Sequence, residues 1–107
     1  MTGVIVRNWE ALIARDDIAA WKETFLQRVL PHMQGIDGFE GVTVLAAREG
    51  DPCTMTVQTR WRGMDAISRF AGDRPAQTYL PDFMVPFFPK YDELASFHDE
   101  VLAEGAA

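Results

Sequence analysis

The sequence predicts one small α+β domain that covers residues 1–107, with the element order β-α-β-β-α-β. Three features favour this class. An apolar stripe with helical spacing runs through residues 18–33, two alternating segments around a Gly-Asp-Pro turn follow it, and a second helical segment ends at Gly72. A chain of 107 residues is long enough to bury one core, so we expect a single domain.

The chain begins with a predicted strand and a predicted amphipathic helix. Apolar and polar side chains alternate over residues 4–9, and Asp16 or Asp17 can then cap a helix. The spacing of the apolar stripe is typical of a helix packed on a sheet. His32 continues the stripe, so we expect it at the sheet or a pocket rim, as a partly buried structural histidine or as an acid–base group or ligand. The stripe consists of Ile18, Trp21, Phe25 and Val29, with Leu26, Leu30 and Met33 beside it.

Two further strands are predicted as a hairpin. They cover residues 40–48 and 52–61, and the turn residues Glu-Gly-Asp-Pro at 49–52 join them. Alternation gives the second of these strands one largely apolar face that ends in an indole, and one polar face. The first face carries Met55, Val57, Thr59 and Trp61, and the second carries Thr54, Thr56, Gln58 and Arg60.

The remaining segments complete the order. A second helix is predicted at residues 66–71, and Gly72 stops it. Residues 79–91 contain three prolines and three phenylalanines, which favours an irregular segment with short helical turns. Residues 93–101 can form a last strand, and residues 102–107 are expected to be a frayed tail. The resulting order is the ferredoxin-like arrangement with an antiparallel sheet.

Composition argues against several classes of partner and cofactor. The net charge of −6 without a basic cluster argues against nucleic acid. Cys53 is the one cysteine, and His32 and His98 are 66 positions apart, so no disulfide and no metal site are expected. No nucleotide-binding loop is present, so no nucleotide cofactor is implied. Without a long apolar run or a signal peptide, we expect a cytoplasmic protein with no membrane contact.

Three collinear segments resemble motifs of the antibiotic biosynthesis monooxygenase domains. They are GFEGV at residues 38–42, TRWRGMDAISRFAG at residues 59–72, and YD at residues 91–92 followed by HDEV at residues 98–101. Each motif alone is weakly specific, but together they cover nearly the whole chain. The resemblance implies a homodimer, in which two four-stranded sheets form a dimeric α+β barrel. Each subunit would hold a pocket between its sheet and its own helices.

The resemblance also implies a ligand site. In the quinone-forming oxygenases of that family, a Trp at the end of this strand stacks on a flat aromatic substrate, which makes Trp61 a candidate; the alternative is packing beneath the next helix. Those enzymes carry an Asn four residues earlier, where this chain has Val57, which makes no side-chain hydrogen bond. Asn8 could compensate, because family members also carry an amide late in the first strand. If Arg7 and Arg60 point into the barrel, alternation puts Asn8 on the face of Trp61; alternatively, Asn8 satisfies a loop backbone.

Other residues complete the candidate set. The hydroxyl of Tyr79 is expected to line the pocket, and one or two members of the run Phe83, Met84, Phe87 and Phe88 are expected to wall it. His98 is interpreted as structural. The catalytic candidates are Asn8, Trp61 and His32, and the substrate-binding candidates are Trp61, Tyr79, Phe83, Phe25 and Val57.

The leading functional hypothesis is a monooxygenase-like protein that uses no metal, haem or flavin. It would bind a flat, hydrophobic phenol or polyketide-like compound, whose anion reduces O₂ itself. The alternative is a non-redox binding module or an isomerase-like enzyme that uses the same pocket. A haem-degrading monooxygenase comes third, because residues 74–80 lack the axial histidine that it requires.

Overall fold

The computed structural model describes residues 3–106 and has the predicted α+β class. Within those residues, five strands form one antiparallel sheet in the order β2-β3-β1-β4, and β5 also pairs with β1. The strands are β1 (Ile5–Ile13), β2 (Phe39–Ala46), β3 (Cys53–Trp61), β4 (Lys90–Tyr91) and β5 (Ser96–Asp99). The α-helices are α1 (Ile18–Thr24), α2 (Leu30–Gln34) and α3 (Met64–Ala71). Residues 102–106 are exposed and irregular, and the last residue of the predicted tail lies outside the described range.

The sheet has one covered face and one open face. β1 and β3 pair along their whole length, with Arg7 opposite Thr59 and Asn8 opposite Gln58. Directly opposed side chains in an antiparallel pair point to the same face. The odd-numbered residues of β3 are buried, whereas its even-numbered residues are only partly buried. The core therefore lies on the odd-numbered face, under the helices.

The helical segment between β1 and β2 contains one wider turn. α1 continues without a break into a π-helical turn, Phe25–Val29, which leads into α2. A π turn adds about one residue to the usual 3.6 per turn, so a stripe with a spacing of four stays on one face. Within residues 3–106 no helix is long and apolar enough to cross a membrane. The buried residues at this spacing are Trp21, Phe25, Val29 and Met33.

The last strand differs from its prediction. Instead of one strand over residues 93–101, two short strands, β4 and β5, pair with β1 at different positions. Between them the chain leaves β1 and pairs with the loop that follows α3, where the N–H of Thr78 donates to the Glu93 carbonyl and the N–H of Ala95 donates to the Ala76 carbonyl. A sequence window cannot reveal this competing long-range partner.

The segment after α3 covers the core face. It contains a 3-10 helix, Asp82–Phe87, which agrees with the predicted irregular segment with short helical turns. Met84 and Phe88 are buried, while Val85 is exposed at 39% of its area. In its later part, residues 79–89, the N–H of Met84 donates to the Pro81 carbonyl and the N–H of Phe88 donates to the Val85 carbonyl, and both bonds are local. Burial of Met84 and Phe88 attaches this part of the segment to the core.

Candidate functional site

A cavity lies between the covered face of the sheet, the helical segment before β2 and the segment after α3. It encloses about 470 Å³ of space between atoms, including the opening, of which about 50 Å³ can hold the centre of a water molecule. Most lining side chains are aromatic or aliphatic. The polar groups in the lining come mainly from Arg7, Thr59 and Tyr79. The cavity is therefore apolar and narrow, with polar atoms at a few points.

The mouth of the cavity is formed by three consecutive residues. Tyr79, Leu80 and Pro81 are the lining residues that are only partly buried, whereas the others are buried. Just beyond them, Arg28 of the π turn stacks on Phe83, with 3.7 Å from the guanidinium carbon to the ring centroid. The mouth residues and Phe83 belong to the same stretch of chain, residues 79–89. A ligand that enters must displace part of that segment.

Arg7 is a buried cation in the wall of this cavity. Its side chain belongs to a residue only 5% exposed, yet no carboxylate among residues 3–106 lies within ion-pairing distance. Nε donates to the Pro75 carbonyl at 3.0 Å, and Nη2 donates to the Gln77 carbonyl at 2.7 Å. Desolvation lowers the pKa of Arg7 to about 10, which leaves the guanidinium charged at neutral pH. Its charge is therefore hydrogen-bonded but is not neutralised by a carboxylate among residues 3–106.

Thr59 lies opposite Arg7 and also lines the cavity. The indole N–H of Trp61 donates to Thr59 Oγ1 at 2.8 Å. The hydroxyl is 3.5 Å from the Arg7 carbonyl, at the outer limit for such a bond. The Thr59 oxygen thus accepts a hydrogen bond from Trp61, while the acceptor for its own proton within residues 3–106, the Arg7 carbonyl, is a weak one.

Aromatic rings form the rest of the wall. Phe88 lies edge-on to Trp9, at 5.3 Å between centroids, and 6.4 Å from Trp21. Phe70 lies 4.4 Å from Tyr79 and 5.8 Å from the Arg7 guanidinium carbon. These flat surfaces suit a flat apolar ligand.

The structure brings some of the predicted site residues together. Phe25, Val57 and Tyr79 all line the cavity. Phe83 packs against the core but lies outside the lining, where it contacts Arg28. From the predicted aromatic run, Met84 and Phe88 wall the cavity instead.

Trp61 lies behind the cavity wall and not in it. Its residue exposure is 0%, and its ring stacks on Phe70 at 5.3 Å and meets Phe39 edge-on at 5.1 Å. It therefore occupies the packing position beneath α3 that was the alternative interpretation. The indole contacts two residues of the cavity wall, Phe70 by ring stacking and Thr59 by a hydrogen bond.

Asn8 lies on the open face of the sheet, which corrects the expectation that it shares the face of Trp61. Its partner across the strands is Gln58, whose Nε2 donates to Asn8 Oδ1 at 3.1 Å. Arg7 takes the covered face instead, because the alternation that buries Trp9 and Ile13 includes position 7. The expectation failed because residues 4–6 are all apolar, so the start of the strand does not show which alternate residues face the core.

His32 is exposed, not partly buried. The π turn carries the buried stripe to Met33 and leaves His32 at the outer edge, where its ring stacks on Tyr79 at 6.2 Å. His98 is also exposed, with Nε2 at 2.9 Å from the Ser96 hydroxyl. Neither imidazole lines the cavity.

Sequence reasoning missed Arg7 and Thr59 as site residues. A signal for Arg7 was present. It lies two positions before Trp9, among the alternate residues of β1 that face the core, where a buried charge is costly unless it is compensated. Thr59 gave a weaker signal, as the hydroxyl between two apolar members of one strand face.

Few side chains of the cavity are of a type that binds a metal or a haem. Residues 3–106 contain no group of three His, Cys, Asp or Glu side chains placed to hold a metal ion. Within these residues the cavity lining includes no histidine or cysteine, and its side chains of a type that ligates haem iron are Tyr79, Met33 and Met84. The axial histidine that the haem-degrading alternative requires is not among them.

No family model and no curated protein matches the chain. Solved structures do match. A monooxygenase from the gene ActVA-Orf6 of Streptomyces coelicolor, in complex with the ligand nanaomycin D, has 15% identity and a TM-score of 0.69, with 99% of this chain and 94% of that chain covered. SnoaB, a cofactor-independent oxygenase from Streptomyces nogalater, has 15% identity and a TM-score of 0.57, with 94% of both chains covered.

A third structure is that of a putative antibiotic biosynthesis monooxygenase from Bordetella bronchiseptica. It has 19% identity and a TM-score of 0.66, and the match covers 94% of this chain and 99% of that chain. Identities this low establish the architecture and not the chemistry. The chain therefore has the fold of the antibiotic biosynthesis monooxygenases.

Proposed function

We propose that this cavity binds a flat, apolar phenol as its anion, and that the chain oxygenates it without a metal, haem or flavin. The observation that carries the proposal is Arg7, a buried guanidinium without a carboxylate partner in the described chain, in an otherwise apolar cavity. A buried charge is costly unless it is compensated, and such groups concentrate at functional sites. A phenolate oxygen supplies the missing negative charge, while its ring fits the aromatic wall.

The reaction needs little from the protein beyond binding. Arg7 stabilises the phenolate relative to the phenol, so the ligand ionises more readily in the cavity. The phenolate gives electrons to O₂, and a ring carbon forms a bond to oxygen. For 1-naphthol the balance is one naphthol plus one O₂ giving one 1,4-naphthoquinone plus one water. The ring loses four electrons, one oxygen atom becomes the new carbonyl, and the other leaves as water.

The walls supply orientation and a dry environment. Trp9, Phe70 and Phe88 offer flat surfaces, and exclusion of water strengthens the attraction between Arg7 and the anion. The space of about 50 Å³ for water centres is small, so binding requires Tyr79, Leu80 and Pro81 to move outward. Closure over the ligand would then protect the intermediate formed between the ligand and reduced O₂ from solvent.

Measurements of ligand binding and O₂ uptake also distinguish the two functional alternatives. A non-redox binding module is favoured by one observation, the lack of a carboxylate or imidazole base in the lining. An isomerase-like enzyme would need such a base to move a proton. An oxygenase does not, because the phenol can lose its proton to solvent before the mouth closes.

We also propose that the chain forms a homodimer through the open face of its sheet. That face carries partly buried polar side chains, including Asn8, Thr56, Gln58 and Arg60. One sheet covered on one side by helices leaves its other side uncovered, and a second copy placed on it closes a barrel. The ligand cavities lie on the opposite face, so each copy would keep its own.

The test combines binding and O₂ uptake with 1-naphthol. Wild-type protein should bind it without O₂ in the micromolar range, a free energy of about −8 kcal/mol. With O₂ present, it should consume one O₂ for each quinone formed. Arg7→Gln should weaken naphtholate binding at least tenfold and leave naphthalene binding intact, while the exposed Arg48→Gln should change neither.

Two outcomes would contradict the oxygenase proposal. Tight binding of naphthol without O₂ uptake would support the non-redox alternative. Stoichiometric iron, haem or flavin in the purified protein would contradict the cofactor-free mechanism.

A further inference from the structure

We infer that Thr59 and Arg7 form a two-donor site for one anionic oxygen, and that Trp61 holds the Thr59 hydroxyl in the donating orientation. The inference rests on the proposed function and adds the residues that select an oxyanion over a neutral apolar ligand. Thr59 and Arg7 are directly opposed on neighbouring strands, and both line the cavity.

The orientation of the hydroxyl follows from its partners. An indole N–H can only donate, so at 2.8 Å from Trp61 Nε1 the Thr59 oxygen must act as an acceptor. Its own proton must point elsewhere. The Arg7 carbonyl, at 3.5 Å, is well beyond the usual distance of about 2.7–2.8 Å between two oxygens in a hydrogen bond. A ligand oxygen in the cavity would be a better acceptor for this proton.

The guanidinium keeps donors free for a ligand oxygen. Nε and one Nη2 proton of Arg7 point to the carbonyls of Pro75 and Gln77, so the Nε–Nη2 edge is occupied. Of the five N–H donors of an arginine, two on Nη1 and one on Nη2 remain. One of these donors, together with the Thr59 hydroxyl, would give a single phenolate or enolate oxygen two hydrogen bonds.

Trp61 is a positioning residue in this arrangement. It does not line the cavity, and it acts through the hydrogen bond to Thr59. Its own position is fixed by full burial between Phe39 and Phe70. The donor atom that sets the Thr59 rotamer is therefore held by the core and does not depend on a ligand.

The experiment compares 1-naphthol with naphthalene, without O₂, in variants of this pair. Thr59→Val keeps the branched side chain and removes the hydroxyl, so naphtholate binding should fall about ten- to a hundredfold, the range for a hydrogen bond to a charged group. Naphthalene binding should stay within twofold. Thr59→Ser keeps the hydroxyl and should retain naphtholate binding within about threefold.

Trp61 is tested in the same way. Trp61→Phe keeps a ring but removes the N–H, so naphtholate binding should weaken several-fold with naphthalene unaffected. Because Thr59→Val leaves the Trp61 N–H buried without a partner, it can destabilise the fold. The double variant Thr59→Val/Trp61→Phe removes both partners together, and should fold and show the same loss of naphtholate binding as Thr59→Val.

A second readout is the ionisation of the bound naphthol, followed by its absorbance. The pKa of the bound phenol should be lowest in wild type and should rise in Thr59→Val, a change that a merely structural role of Thr59 would not produce. Loss of naphthalene and naphtholate binding in equal measure would overturn the inference, as would naphtholate binding within twofold of wild type in the double variant. Failure of wild type to bind naphthol at all would instead overturn the proposed function, and the inference with it.

Discussion

The guanidinium of Arg28 lies over the ring of Phe83, 3.7 Å from its centroid, and so ties the π turn to the segment that closes the cavity. Arg28 is exposed and Phe83 is half-buried. A cation–π contact at an exposed site is worth about 0.5–1 kcal/mol. We expect this contact to hold the mouth closed over a bound ligand as it does in the free protein.

Removal of this contact should therefore change rates and not affinity. In Arg28→Ala, we expect the association and dissociation rate constants of 1-naphthol to rise together by about two- to fivefold, with Kd unchanged. Ala is a strong helix former, so the helical segment should persist. Stopped-flow fluorescence would measure both constants, with Arg48→Ala as the exposed control. Unchanged rates, or a Kd that shifts with them, would show that Arg28 does not hold the mouth.

Phe88 should carry much of the stability of the closed segment. Its ring packs against Trp9 and Trp21, and the residue is 6% exposed. Phe88→Ala should lower the free energy of unfolding by about 3–5 kcal/mol, as for other buried phenylalanines. The neighbouring Phe87 is only partly buried, so Phe87→Ala should cost less than half as much. Urea denaturation would measure both, and equal losses would contradict this assignment of the anchor.

Local patterns in the sequence were sufficient for most of the fold. The hairpin of β2 and β3 was predictable because strand alternation and the turn residues lie next to each other in the chain. The divided last strand was not, because its partner, the loop at Gln77, lies far away in sequence. The burial of Met33 in place of His32 depends on the π turn at Phe25–Val29. The residue types in that turn do not predict it.

The candidate site was predicted only in part, for a geometric reason. Aromatic and aliphatic lining residues such as Phe25 and Tyr79 follow from periodicity and resemblance. The placement of Arg7 depends on the phase of β1, which a one-residue shift reverses. The role of Trp61 depends on a hydrogen bond to Thr59, and spacing alone cannot reveal it.

The proposed homodimer can be tested by a charge on the open face. We expect light scattering to give about twice the chain mass of 12.0 kDa. Arg60 lies on this face, paired with Glu100 at 2.8 Å, and Gln58→Arg adds a second cation two positions away. In a symmetric interface the new charge is repeated on both copies, so the dimer should weaken. A wild-type mass of one chain at micromolar concentration would refute the dimer.

The pH dependence of binding gives the most direct test of Arg7. Burial lowers the pKa of Arg7 from its ordinary value to about 10, so in the free protein the guanidinium loses its proton above about pH 10. Phenolate attraction needs that proton, and a bound anion raises the pKa of Arg7 again. We therefore expect phenolate affinity to be constant up to about pH 9 and to fall by up to tenfold per pH unit above 10.

A suitable probe is 4-nitrophenol, because its oxygen is already ionised over about pH 8.5 to 11 and its own titration does not interfere. Stability should follow the opposite trend. Since the folded pKa of Arg7 is below the unfolded one, the unfolded chain binds more protons above about pH 10, and the contribution of Arg7 to stability rises with pH there. Arg7→Gln has no proton to lose, so its weak affinity for nitrophenolate should not depend on pH. A decline above pH 10 that persists in Arg7→Gln would assign the titration to another group and remove Arg7 from the site.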